Sequence, residues 1–367
     1  MLHWAAVGCL VVLSPPMLRA QDNPKFVVDE DCQAFDIAPD NSIVFAVPHL
    51  KGVRRLVIER DDISVASSDG KVRKIVEADK FMPFPPPAGY IIDTIGWSPD
   101  AHRIAIGMSL QKAPAGFEDK NAKKRGDLGE DNSPLSSVSG GRAIALLDDD
   151  GHEIKVAGLK TRFIEDAINP AWLADDANVV YETGGGPYSI TRVRPADGQT
   201  TKLFEGHTFN AIIWDAKKNR AFAIGENLGI RRGLTLVQLD LMRELVTEVA
   251  HIESYQGALS LSPSGTKIAY FEDGDYIDVI DMAHPGPTIR VRAGYGRFEW
   301  SRDERRLLLK RGPFEKSNIL LWVGLHDNSF TSILHGLEFH DFHIAPDGRS
   351  IAITEPGKRA LKVYPLP

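Results

Sequence analysis

Few residue groupings in this 367-residue chain could do chemistry, and most fail on spacing. His340 and His343 offer two imidazoles for a metal, but three residues apart along a strand they fall on opposite faces. His152-Glu153 opens like a zinc-protease motif, yet no second histidine follows four residues on. Asp148-Asp149-Asp150-Gly151 gathers carboxylates without the alternate spacing of a calcium loop and reads as a hairpin turn. Gly184-Gly185-Gly186 matches neither a dinucleotide fingerprint nor a phosphate-binding loop, and no Gly-x-Ser-x-Gly elbow occurs. Cys32 has no histidine partner in the sequence that would mark a catalytic thiol. No nucleophile, cofactor motif or metal cluster stands out. The reading therefore assigns no catalytic residue, and expects neither a cofactor nor a metal.

Composition narrows the classes further. The chain is 43% hydrophobic and 25% charged, with a net charge of −7, which describes a globular protein able to bury a core. That balance argues against a sequence-independent grip on nucleic acid or on an anionic membrane surface. Residues 4–13 form a short apolar run, followed by Ser14-Pro15-Pro16 and by Leu18-Arg19-Ala20 ahead of polar Gln21-Asp22-Asn23. This is the layout of a cleaved secretory leader, too short to span a bilayer. The expectation is a leader over 1–20, an exported chain with no transmembrane span after cleavage, and a periplasmic or secreted location. Cys32 then remains as the sole cysteine, so stability must come from packing rather than from a disulfide.

The elements emerge from repetition. Ile95-Gly96-Trp97-Ser98-Pro99-Asp100 leads into the alternating run Arg103-Ile104-Ala105-Ile106, and the same unit recurs at Phe35–Asp40, Leu259–Gly265 and Phe342–Gly348. Degenerate copies centre on Trp172, Trp214 and Trp300. The proline slots fall at 39, 99, 174, 216, 263, 302 and 346, so four of six spacings lie between 39 and 47 residues, near the length of a four-stranded propeller blade. Trp97, Trp172, Trp214 and Trp300 share one slot, filled elsewhere by Ile37, Leu261 and Ile344, as a blade-to-blade interface requires. Proline followed by Asp-Gly or Ser-Gly supplies the turn, and a second hairpin follows in each period, for instance 144–147 turning through 148–151 into 154–156. The fold expected is all-β: a seven-bladed β-propeller of four-stranded antiparallel blades. After the last hairpin only one further strand fits, over 360–364, so a strand over 25–29 is expected to complete the seventh blade and close the ring. Residues 21–367 then make a single propeller domain.

The unit Trp97-Ser98-Pro99-Asp100, and best of all Ile344-Ala345-Pro346-Asp347-Gly348, resembles the WD40-like PD40 repeat of TolB-like β-propellers. A WD40 repeat proper would show regular Gly-His openings and closing Trp-Asp pairs; here Gly206-His207 occurs once and Trp214-Asp215 lies in the wrong strand. The resemblance implies a periplasmic or secreted propeller that binds other proteins, in a group that also includes propellers attached to peptidases and some lyases.

Two abnormal spacings locate insertions. The segment 79–90 is a proline- and aromatic-rich connection between blades, with Phe81, Phe84 and Tyr90 read as available for contact. The segment 110–141 is a charge-balanced second-to-third-strand loop poor in apolar residues, read as flexible. Both leave from one face of the ring. Polar residues just before each first strand, Asp93, Asp166, His207, Tyr255, Glu338 and His340, would line the channel mouth on that face. The reading that follows is a non-catalytic, monomeric binding module that takes a protein or small ligand on the insert-bearing face; the alternative is a hydrolase or lyase of a polymer or glycan at the channel mouth.

Overall fold

The computed structural model describes residues 24–366 apart from 29–31, 54–55, 79, 82–88, 113–137, 185–187, 227, 229–232, 274–275, 285, 293–295, 312–317, 338, 340 and 355–359. The expected leader, Phe84, Glu338 and His340 lie outside these residues.

Among the described residues, twenty-eight strands form seven antiparallel sheets of four. After β1 (Phe26–Val28), blade one holds β2 (Phe35–Ile37), β3 (Ile43–Val53), β4 (Leu56–Ala66) and β5 (Val72–Val76). Blade two holds β6 (Gly89–Trp97), β7 (Arg103–Lys112), β8 (Val138–Asp148) and the two-residue β9 (Ile164–Glu165). In blade three come β10 (Ala167–Trp172), β11 (Val179–Thr183), β12 (Ser189–Arg194) and β13 (Gln199–Leu203). Blade four follows with β14 (Ala211–Asp215), β15 (Arg220–Glu226), β16 (Leu234–Asp240) and β17 (Leu245–Ile252). Blade five is made of β18 (Gly257–Leu261), β19 (Lys267–Asp273), β20 (Tyr276–Asp281) and β21 (Ile289–Arg292). Blade six contains β22 (Gly296–Trp300), β23 (Arg306–Arg311), β24 (Asn318–Gly324) and β25 (Phe330–Leu337). Blade seven has β26 (Phe342–Ile344), β27 (Ser350–Thr354) and β28 (Leu361–Pro365), with β1 as its outer strand, Phe26 facing Val363 and Val28 facing Leu361.

The core is seven hydrophobic clusters, one between each pair of neighbouring blades, including the pair seven and one. Second strands read as continuous apolar runs because both of their faces are covered. Val179 packs toward blade two while its neighbour Val180 packs toward blade four. The slot residue of every blade packs into the cluster shared with the preceding blade: Ile37, Trp97, Trp172, Trp214, Leu261, Trp300 and Ile344 all do so. This is why a large side chain recurs there once per period.

The turn after each slot uses one device seven times. Asn41, Ala101, Asp176, Asn219, Gly265, Glu304 and Gly348 all have φ between 50° and 70°. In five of the seven turns the aspartate just before that residue accepts the amide just after it, as Asp40 does from Ser42 at 2.9 Å and Asp347 from Arg349 at 2.8 Å, while blade five uses the Ser264 hydroxyl and blade four a short 3-10 turn. The outer turn of blade two places Gly151 at φ 85°, where a Cβ would collide with the Ile75 carbonyl oxygen of blade one.

One strand assignment needs correction. Residues 154–156 do not form the fourth strand of blade two. Contact with β8 stops at an isolated bridge of Glu153 with Leu147 and the Ile154 amide donating to the Leu146 carbonyl at 2.8 Å, and the Ala157 amide turns away to the Pro195 carbonyl of blade three at 2.9 Å. The fourth strand is β9, which faces only Ala143 and Ile144.

In an antiparallel blade, second-to-third-strand loops and interblade connections share one face of the ring, and the other turns share the opposite face. The 79–90 connection shortens to the stretch before Gly89, where β6 begins, and the 110–141 loop to the residues between Lys112 and Val138, where the β7–β8 ladder ends. A third projection joins them on this face. The β3–β4 ladder runs out to Val53 opposite Leu56, although β5 covers β4 only between Ile63 and Ala66.

Candidate functional site

The insert-bearing face over blades two and three brings two of the expected mouth residues together. Asp93, on β6, stands at the exposed rim and accepts a hydrogen bond from the Ser109 hydroxyl of β7 at 2.5 Å. Desolvation holds its carboxyl above the ordinary range, partly offset by Ser109 and by the Arg142 guanidinium. Asp166 sits in a left-handed turn between β9 and β10, and its amide donates to the Arg142 carbonyl at 2.8 Å. Arg142, on β8, is thus the hub of the group.

Neither Arg142 nor two further members were anticipated. Glu182, next to the last residue of β11, is only 4% exposed, and Asn169 Nδ2 donates to its Oε1 at 2.5 Å. Burial pushes its carboxyl up to about 7, against the opposing pull of Asn169 and Arg142. Asn169 is itself fixed in a left-handed conformation at the bulge of β10, with its carbonyl accepting the Trp214 indole N–H at 2.9 Å. The sequence did carry a signal: Glu182 closes the apolar run Val179-Val180-Tyr181, where an acid has no reason to be if the strand is only core. Together these side chains present a guanidinium, a carboxylate and a carboxyl that titrates near neutrality, beside two chain excursions. Such a set can bind polar or charged groups and exchange a proton.

The other expected residues lie elsewhere. The His207 amide donates to the Phe204 carbonyl at 3.0 Å in the turn after β13. Tyr255 packs against the cluster between blades four and five. Phe81 and Tyr90, expected to be available for contact, are buried instead, at 2% and 0% exposure. The Phe81 ring lies 5.7 Å from both Tyr90 and Phe163, edge to face, and the Tyr90 hydroxyl donates to the Asp61 carbonyl at 2.8 Å. They anchor the insert in the interface between blades one and two, which offers more apolar contact than solvent does.

A second polar group lies on the inner strands of blades six, seven and one. His343 Nδ1 is 2.8 Å from Glu299 Oε1, Arg297 pairs with Asp341, and Glu299 Oε2 accepts the Ile344 amide at 2.7 Å. At the equivalent place in blade one, Asp36 accepts the Trp97 amide of blade two at 2.9 Å. Burial pushes the Glu299 carboxyl up, but His343, Arg297 and the Ile344 amide outweigh it and hold the group below its ordinary range. Burial dominates at Asp36 and raises it. This group stitches adjacent inner strands together, a role for His343 that its spacing from His340 could not reveal. Among the described residues no three His, Cys, Asp or Glu side chains stand close enough to hold a metal ion, and no helix is long and apolar enough to cross a membrane.

Seven four-stranded sheets packed face to face, with polar groups gathered at the loop ends, define a seven-bladed β-propeller. A chain in the crystal structure of a mitotic checkpoint complex shares this fold, with a TM-score of 0.58 over 100% of this chain and 98% of that one at 13% sequence identity. No protein-family model and no curated protein matches the chain.

Proposed function

We propose that this chain is an exported, non-catalytic binding module of the TolB-like, PD40-repeat kind, a single propeller that holds a protein partner in the bacterial periplasm or cell envelope. The partner sits on the face that carries the 79–90 and 110–141 segments. One observation carries the reading: three excursions of the chain, including the β3–β4 ladder, leave the same face of two adjacent blades beside the Arg142 group. Ring folds place their binding residues on such connections because a rigid scaffold leaves loops free to vary. The likeness to a propeller from a multiprotein assembly supports the same reading.

Replacing 82–88 and 113–137 by short Gly-Ser linkers, with Phe81 and Tyr90 kept as anchors, should abolish cross-linking to the native envelope partner while the unfolding transition remains cooperative. Unchanged cross-linking would move the partner to another face. N-terminal sequencing of the exported chain should begin at Gln21.

Glu182 favours a second reading, hydrolysis or lysis of a polymer or glycan, because a carboxyl titrating near neutrality suits proton transfer. That reading requires turnover of a polysaccharide panel that Glu182→Gln eliminates.

A further inference from the structure

One position of the repeat is a long cation in four blades and serine in two. It is the residue that opens the second strand, paired across the turn with the residue after the slot, as Arg103 is with Ser98 and Ser42 with Ala38. Blades two, four, five and six place Arg103, Arg220, Lys267 and Arg306 there; blade three has Asn178. Three of the cations reach over the next blade. The Arg103 guanidinium carbon lies 4.9 Å from the centroid of the Trp172 ring, Arg220 Nη2 donates to the Gly265 carbonyl at 2.6 Å, and Lys267 Nζ is 3.6 Å from Glu304.

Where the residue is serine, the space stays open. A cavity of about 80 Å³ borders Ser350 of blade seven, and one of about 570 Å³ borders Ser42 between blades one and two, on the face opposite the inserts. The larger groove is walled by Trp97, the counterpart of Trp172, together with Pro39, Pro99 and Val65. Its rim is acidic: Asp40, Asp100 and Asp149 border it, while its cations Lys71 and Arg73 are already paired with Asp69 and Asp150 at 2.9 and 2.8 Å. Three lining carboxylates, of which Asp149 has His102 Nδ1 at 3.3 Å, thus stand with two cations already paired outside the groove beside an aromatic wall that no side chain of this position covers.

We propose that this groove docks a protein segment through an arginine side chain, which lies over the Trp97 ring as Arg103 lies over Trp172. The planar guanidinium stacks on the indole and the carboxylate rim supplies the complementary charge. This site is independent of the insert-bearing face.

The test uses the full chain, its indole nitrogens labelled for NMR, with N-acetyl-arginine methylamide as probe and the citrulline analogue as its uncharged isostere. The arginine probe should shift the Trp97 indole resonance saturably, the resonance being identified by its absence in Trp97→Phe, and the citrulline probe should bind at least about fivefold more weakly. Ser42→Arg supplies the missing cation from the chain itself and should abolish the shift, with the other indole resonances in place as evidence of an intact fold. Equal affinity for the two probes, no saturable shift at Trp97, or an undiminished response in Ser42→Arg overturns the proposal. The comparison of probes stands on the parent chain alone, whatever the folding of the variant.

Discussion

Glu182 shows how far a single side chain can depart from its sequence context. Its carboxyl titrates near 7 in the fold, because burial penalises the charge, against 4.5 for an ordinary glutamate. Below pH 4.5 both the folded and unfolded states hold the proton and nothing is lost. Between there and pH 7 the unfolded chain ionises first, so stability falls as pH rises and then levels off. Glu182→Gln should therefore match the parent near pH 4 and exceed it at pH 8 by up to about 3 kcal/mol, read from urea midpoints at both values. A difference that does not change with pH would show that Glu182 is not held neutral. Phe81 and Tyr90 teach the opposite lesson. Their segment is legible as an insertion, but whether its aromatics face outward or inward depends on Phe163 and the Asp61 carbonyl, residues distant in sequence.

At the scale of elements, the seven equivalent turns offer an internal control on backbone strain. Ala101 has φ 61° and Gly348 φ 69°, the left-handed region that disfavours any Cβ. Ala101→Gly should raise stability by about 0.5 to 1 kcal/mol, and Gly348→Ala should lower it by more, since the new Cβ would also meet Arg302 Cβ at 2.7 Å. Urea midpoints that move in the same direction for both would refute the shared geometry. These turns were the most legible feature of the chain, because proline, aspartate and glycine act through local torsions and hydrogen bonds. The second hairpin of blade two was misplaced for the complementary reason. Residues 154–156 have strand-like composition, and only the tie between Ala157 and Pro195 of the next blade draws them off.

For the whole molecule, closure rests on three residues of β1 and the edge they cover. Val28 is buried at 3% and Lys25 donates to the Val363 carbonyl at 2.6 Å. A chain beginning at Cys32 should lose roughly 3 kcal/mol or more of stability and, with β28 exposed as an edge, should associate as concentration rises, followed by urea unfolding and light scattering. An unchanged midpoint would mean that the ring does not depend on joining its two ends. The pairing of β1 with β28 was anticipated from a count of strands, because a blade of three with a spare strand at the far end of the chain leaves one economical solution.

The sequence by itself determined the blade count, the turn chemistry, the shared tryptophan slot and the seam, since each repeats or completes a repeating unit and so can be seen without coordinates. Only the tertiary structure decided which polar residues meet. Arg142, Asn169 and Glu182 come from three strands of two blades, His343 finds Glu299 across a blade boundary, and the space beside Ser42 exists only because the next blade presents Trp97 to it. Contacts between blades are set by how sheets stack around the ring, and no local pattern in the chain encodes which side chains face one another across that gap.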